Sequence, residues 1–535
     1  MKVLTFGTCR VLNLFDKSIN NTFLDSLHYL NYGSYGGENI IALSHDIYQV
    51  IYLLNLIKDK KNINDLDNNL IKRFSVFIQN IGDYRENYLS KNKNYNINDS
   101  ITQINNQLNE IEYLILEVCT LKKLIIDGVP MFLDINDQNQ FIKITDEEFT
   151  KDFDNLVNLV ATINTNIKII FVSHIVSYNN EIIPERKHIL DLLKINCEKY
   201  NNCFVLCPND YITNIDLEDA RHYKPESRIK ILNAIKDKII DIESNKIVDD
   251  MNHKGIMNFS IKKYLNNSEL LAYDQLNNTL TQMTERIKNN THYKKKYDDN
   301  NYLYSVNNFL EEPYNLDNPI FVNFFKIVLN DLIIKIAEKY LENNVYIYNA
   351  LMAVNYNCSS NRVQSQNWHR DPGGRKLIKF FIFFDKIGEL NGSFEYIPNS
   401  QYTSKSRIST IFDYNDARSI YPNNSSNEYN EFDELQKNNK LITEADEYDC
   451  ISVDTCGFHR AGICSSNYYR KYLHVLFLIE KYIVDNKDPC DLYQKGFNHH
   501  KIYNIDIKKI DEVLKKKVSK YFYNPENNNI KQSRK

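Results

Sequence analysis

The sequence predicts two domains of different class, an α/β domain on a parallel sheet followed by a β-domain with flanking helices. Three observations point there. In the first half, short apolar runs of strand length alternate with segments of helical spacing, the pattern of βα units. In the second half, strand-length runs follow one another with turn residues between them, after long helical segments. Between the two patterns lies the polar stretch 244–254, which reads as a linker. A chain of 535 residues and 63.2 kDa is also too long for one core.

In the first half, Val3–Phe6 is a strand running into Gly7-Thr8-Cys9-Arg10, and 45–57 has helical apolar spacing. Tyr113–Glu117, Ile167–Val172 and Cys203–Leu206 read as buried strands, with helical segments between them that would cover both faces of a parallel sheet. The last helix starts at Pro225 and carries the stripe Ile229, Leu232, Ile235 and Ile239. Two places could carry chemistry. A nucleophile in Gly7-Thr8-Cys9 would stand at the carboxyl edge of the sheet. Asp219 and His222, three residues apart, have the spacing at which a carboxylate orients an imidazole toward a nucleophile. A thiolate at Cys9 would be activated by a helix start and by His222.

These residues resemble the SGNH/GDSL hydrolase superfamily, most closely its branches with a Gly-Ser-Cys or Gly-Asn-Cys opening, which include capsule-polysaccharide enzymes. The resemblance covers about residues 1–243 and implies a three-layer α/β fold with acyl-ester chemistry on a sugar or lipid. By the Gly-x-Ser spacing Cys9 is the nucleophile; by the Gly-Ser-Cys branch Thr8 aligns with the serine, and both stay open. The superfamily's Gly-x-Asn-Asp block has no counterpart. Ser173-His174 ends a strand where a site residue would fit, and Gly33 or Gly37 would supply a backbone donor.

In the second half, 258–265 and the helical 268–287 lead to one long amphipathic helix over 320–341 and a strand over 345–356. Next come Asn367-Trp368-His369-Arg370-Asp371, the apolar run 376–384, and the turn, strand and stop of 391–400. Cys450–Val453 then precedes Asp454-Thr455-Cys456-Gly457-Phe458-His459, and Arg470 opens a last strand. His369 and Asp371, two apart on an extended segment, point to one side. A second histidine, His459, arriving from a distant strand completes the 2-His-1-carboxylate face of non-heme Fe(II) sites. Arg470 offers a planar guanidinium that pairs with a carboxylate at two points.

At His369-x-Asp371, at Asn-Gly-x-Phe-x-x-x-Pro-x-Ser and at His459 with Arg470 eleven residues on, the chain resembles the phytanoyl-CoA dioxygenase family. The resemblance covers about residues 255–481. It implies a double-stranded β-helix (jelly-roll, cupin-like) in which His369, Asp371 and His459 hold Fe(II). Arg470 would bind the distal carboxylate of 2-oxoglutarate, and O2 would take the open position. Relatives that halogenate lack the carboxylate, so Asp371 implies hydroxylation or a related oxidation.

The net charge of -4 predicts no nucleic-acid footprint. No run approaches membrane-spanning length and the first apolar stretch is too short for a signal peptide, so a cytoplasmic protein is expected. Ten scattered cysteines read as free thiols. The polar segment 401–447 reads as a lid over the iron. The tail 501–535, with ten Lys/Arg against four Asp/Glu, reads as a solvated helix docked on the second domain. The expected organisation is therefore 1–243 SGNH-like, 244–254 linker, 255–485 oxygenase and 486–535 basic tail. Its substrate would be a small organic, glycan- or lipid-related molecule. The alternatives are a protein or peptide hydroxylase with a docking module in front, and a binding protein with a vestigial metal site.

Overall fold

The computed structural model describes residues 1–12, 14, 28–29, 44, 46–60, 97–126, 129–131, 141–289, 303–310, 317–357, 364–366, 368–369, 371, 376–401, 440–479 and 511–521. The chain divides into two compact units, Met1–Ile239 and Ile240–Lys535.

Unit 1 is built on five strands: β1 (Lys2–Phe6), β2 (His28–Tyr29), β3 (Tyr113–Val118), β4 (Lys168–Ser173) and β5 (Cys203–Leu206). They pair in the order β5-β4-β3-β1-β2, all parallel. Leu4, Phe6, Leu114, Leu116, Ile169 and Phe171 form a core with apolar residues of α2 (Ile47–Lys58), α3 (Ile97–Gln107), α4 (Asp146–Ile163) and α5 (Pro184–Cys197), while α1 (Cys9–Leu12) follows β1 directly. The alternate residues Val3, Thr5, Ile115, Ile170 and Val172 are as deeply buried, so both faces of the sheet are covered. Helix starts follow from local capping. Asp46 accepts from the Gln49 N–H, and Thr145 with Glu148 forms a capping box.

The expected linker 244–254 is not one. A 3-10 turn at Pro225–Ser227 leads into α6 (Arg228–Lys254), which carries straight through it. Ile240, Ile247, Val248 and Met251 recur at helical spacing and join the core of unit 2, which is why the polar residues between them do not break the helix.

Unit 2 has strands β6 (Ile256–Ser260), β7 (Leu303–Ser305), β8 (Val345–Tyr356), β9 (Ile378–Phe383), β10 (Phe394–Tyr396), β11 (Leu441–Thr443), β12 (Asp449–Asp454), β13 (His459–Ala461) and β14 (Tyr469–Ile479). A six-stranded antiparallel sheet, β6-β12-β9-β14-β8-β7, faces a three-stranded one, β11-β10-β13. From β8 onward the chain passes repeatedly between them, the path of a double-stranded β-helix. Phe394 and Tyr396 of the small sheet pack between the sheets on Ala353, Phe383, Val453 and Tyr472. The opposite face of the large sheet, with Ala350, Met352, Phe380, Val475 and Phe477, is covered by α7 (Asn267–Asn289), α8 (Pro319–Val328) and α9 (Asp331–Leu341).

Three expectations change in detail. The single helix over 320–341 is two, because Asn330 caps α9 by accepting from the Leu332 N–H at 3.0 Å. In the tail, α10 (Glu512–Tyr521) is docked rather than wholly solvated: it buries Leu514, Val518 and Tyr521, whereas Val513 is 67% exposed. Of the expected lid, residues 402–439 lie outside the described residues, and Leu441–Thr443 is strand. No described helix is long and apolar enough to cross a membrane.

Gly255 joins α6 to β6 with φ +78°, and a Cβ there would lie 2.2 Å from Tyr396 Oη. Gly255→Ala is expected to cost about 1–3 kcal/mol, read as a lower denaturation midpoint. An unchanged midpoint would show that the turn relaxes freely.

Candidate metal centre

His369, Asp371 and His459 converge, with one potential ligand atom from each within 4.8 Å of the others. Backbone pairing brings them together. The His369 N–H donates to His459 O at 3.1 Å, the His459 N–H donates to His369 O at 3.0 Å, and the Asp371 N–H donates to Thr455 O at 2.8 Å. His369 and Asp371, expected on an extended segment, lie on an irregular stretch whose only described ladder contact is this bridge. His459 opens β13, and Arg470 sits on β14 as expected.

The turn before His459 is held from below. Asp454 accepts from Tyr340 Oη at 2.7 Å and from the Cys456 N–H at 2.9 Å, and burial pushes its carboxyl up to about 6. Gly457 is required there, since a Cβ would lie 2.0 Å from Tyr396 Oη. Gly457 O in turn accepts from His459 Nδ1 at 2.9 Å. A carbonyl can only accept, so the proton sits on Nδ1 and the Nε2 lone pair is free to ligate.

Asp371 Oδ1 lies 3.9 Å from Nε2 of both His369 and His459, while Oδ2 receives the Lys379 ammonium at 2.6 Å. Burial alone would raise the Asp371 carboxyl, but Lys379 and the two histidines hold it well below the usual range. Burial, then His369, pushes His459 down to about 3. The set is thus one carboxylate, the neutral imidazole of His459 and the ring of His369, with one carboxylate oxygen already fixed by a lysine. These donors suit a divalent first-row metal with positions left open.

A cavity of about 120 Å³ adjoins His369 and His459, lined also by Asn355, Lys379, Phe381, Phe394, Arg470, Tyr472 and His474. Arg470 is buried and donates to Gly392 O. Directly across the β8–β14 pair stands Asn355, whose side-chain amide is buried with no hydrogen-bond partner among the described residues. Arg460, by contrast, is committed to Glu395 at 2.6 Å. Asn355, Lys379 and His474 are not in the sequence motif. Period-two reading of the strands would have found them, because Lys379-Phe381-Phe383 and Arg470-Tyr472-His474 each face the cavity.

In unit 1, Asp219 and His222 do meet, with His222 Nδ1 2.9 Å from Asp219 Oδ2, both about half exposed. Thr8 is buried and donates through its N–H at 3.0 Å and through its hydroxyl to Glu117. The Cys9 side chain and residues 33 and 37 lie outside the described residues. The described cysteines form no disulfide and are mostly buried, Cys450 within the helix-covered core of unit 2.

No protein-family model matches the chain, and no curated protein sequence matches it. Among solved structures it is similar to SnoN, a non-heme alpha ketoglutarate dependent epimerase from nogalamycin biosynthesis, at 9% identity over 44% of this chain and 83% of that one, with a TM-score of 0.30. It is similar to EctD from S. alaskensis, solved with 2-oxoglutarate and 5-hydroxyectoine, at 10% identity over 44% and 75%, TM-score 0.31. AviO1 from Streptomyces viridochromogenes Tue57 gives 12% identity over 44% and 95%, TM-score 0.30.

Anaerobic titration with Fe(II) or Co(II) should load one ion per chain. His459→Ala and Asp371→Ala should each weaken uptake by about 100-fold or more, beyond what loss of an outer partner costs. Full affinity in both variants would remove the metal centre.

Proposed function

We propose that unit 2 is an Fe(II)- and 2-oxoglutarate-dependent oxygenase that hydroxylates a small organic, glycan- or lipid-related molecule. The observation that supports this most is the meeting of His369, Asp371 and His459 beside a cavity that also holds Arg470 and an Asn355 amide with no partner among the described residues. Bound iron, 2-oxoglutarate and O2 would supply the oxidation, in which the keto acid loses CO2 and takes up one atom of O2 to become succinate while the other atom enters the substrate.

The chain's own residues have distinct tasks in this reading. His369, His459 and Asp371 Oδ1 are the ligands, and Lys379 occupies Oδ2 so that the carboxylate binds through one oxygen. Arg470 meets the distal carboxylate of the keto acid with a fork of donors, and Asn355 opposite adds an amide that needs a polar partner. Phe381, Phe394 and Tyr472 wall the cavity and keep water away from the reacting atoms. The same apolar wall suits a substrate with carbon surface to bury.

Anaerobic addition of Fe(II) and 2-oxoglutarate should give a visible charge-transfer band, and O2 should then yield succinate, lost in His369→Ala and Asp371→Ala. Arg470→Ala should weaken 2-oxoglutarate by about 2–3 kcal/mol and Asn355→Leu by about 1 kcal/mol. If Arg470→Ala leaves the affinity unchanged, another basic residue such as Lys379 holds the keto acid.

For unit 1 the orientation of His222 by Asp219 favours an SGNH-like esterase or acyltransferase in which His222 Nε2 is the base. Cys9→Ala should abolish turnover of aryl or sugar acyl esters and Asp219→Asn should reduce it about 100-fold or more. Full turnover in Cys9→Ala discards Cys9 and leaves Thr8 as the hydroxyl to test.

A further inference from the structure

In unit 1 the chain leaves β1, goes outward to β2, and then returns to β3 on the other side of β1. The strands are parallel, so the ends of β1, β3 and β4 open on one edge, at the point where the strand order reverses. In sheets of this kind that crevice is where ligands bind. Here it is lined by charge that the fold does not balance.

Glu117, at the end of β3, is fully buried and accepts from Arg10 Nε at 2.6 Å as well as from Thr8. Gly7 makes this approach feasible, since a Cβ there would lie 2.9 Å from the Glu117 Cβ. Arg10 Nη1 then donates to Arg221 O at 3.0 Å. Arg186 Nη1 donates to Ile175 O at 3.0 Å and to Ala220 O, the carbonyl next to the one Arg10 uses. Two guanidiniums are therefore pinned on neighbouring carbonyls, with Arg221 itself beside them. His174, just past β4, is 6% exposed, and its Nδ1 is buried without a partner among the described residues. Burial and the nearby Arg10, Arg186 and Arg221 keep that ring neutral.

Against three guanidiniums the described groups offer one buried carboxylate. The next one, Asp219, is turned to the N–H groups of Arg221 and His222 and to the His222 ring. Cys119 and Tyr223, also in electrostatic range of Arg10, are pushed up by burial and stay neutral. Stapling the 219–222 turn would use only one nitrogen of each pinned arginine. It would not explain why like charges gather around a buried neutral imidazole whose Nδ1 has no partner among the described residues.

We propose that this crevice binds a phosphate group, carried by a small phosphorylated molecule, between Arg10, Arg186, Arg221 and His174. A tetrahedral dianion presents three free oxygens and can meet three planar forks from different directions, whereas a carboxylate presents two oxygens in one plane. The neutral imidazole can donate from Nδ1 without adding charge. The site stands apart from the oxygenase reading of unit 2 and needs no metal.

The test is calorimetric titration of the metal-free full chain at low salt with inorganic phosphate, a nucleoside 5′-monophosphate and a hexose 6-phosphate, with acetate at matched ionic strength. Saturable binding of at least one phosphate species is expected, weakened about tenfold or more in Arg186→Gln and in Arg221→Gln. Tighter binding of an ester than of inorganic phosphate identifies the carrier; equal binding points to free phosphate. Arg221 is exposed, so its variant keeps the fold and decides the matter if Arg186→Gln proves unstable. No saturable binding by any probe, acetate binding as tightly as phosphate, or affinity unchanged in Arg221→Gln would overturn the proposal.

Discussion

The antiparallel bridge between His369 and His459 is the contact on which the candidate metal centre depends. The two residues are far apart along the chain, and closing that loop costs entropy that no local propensity returns. The closure is stabilised by the reciprocal N–H to O pair and by the Asp371 N–H on Thr455 O. Those bonds rely in turn on the turn at 454–459, held by buried Asp454 and ultimately by Tyr340 of α9. A helix on the outer face of the large sheet thus helps set where the inner histidine stands. Packing on one side of a sheet fixes chemistry on the other.

The cavity beside His369 and His459 is built by the simplest rule of a strand, alternation. On β9 and β14 one set of side chains packs under the helices, and the other set turns inward. The inward set is unusual in carrying Lys379, Arg470 and His474 among the aromatic rings. Burying such groups is costly unless they are paired. Lys379 is paired with Asp371 and Arg470 with a carbonyl, while burial and Lys379 push His474 down to about 3. The Asn355 amide has no such settlement within the described residues, and its position opposite Arg470 is what a polar ligand would complete.

Unit 1 places its polar residues by a different route to a similar end. Parallel strands bring their carboxyl ends to one edge, and the close approach at Gly7 lets Glu117 order Thr8 and Arg10 together. The Asp219–His222 pair forms through local spacing alone, so it was readable as a motif. The arginine cluster was not, because Arg10, Arg186 and Arg221 share no spacing in the chain and meet only through backbone carbonyls of one turn.

The order of strand-length and helical runs determined the class of each half, since side-chain periodicity is a local property of the backbone. The same holds for His369, Asp371 and His459, where a two-residue spacing and a strand-end histidine carry a recognisable pattern. What the tertiary structure alone decided is which other groups share their space: Lys379 on the carboxylate, Asn355 across from Arg470, His174 among three arginines. It also decided that residues 244–254 continue a helix and that Asn330 breaks another, because those outcomes depend on which apolar face finds a core to enter. Contacts between residues distant in sequence follow from how sheets close and helices dock, and no window of the chain contains that information.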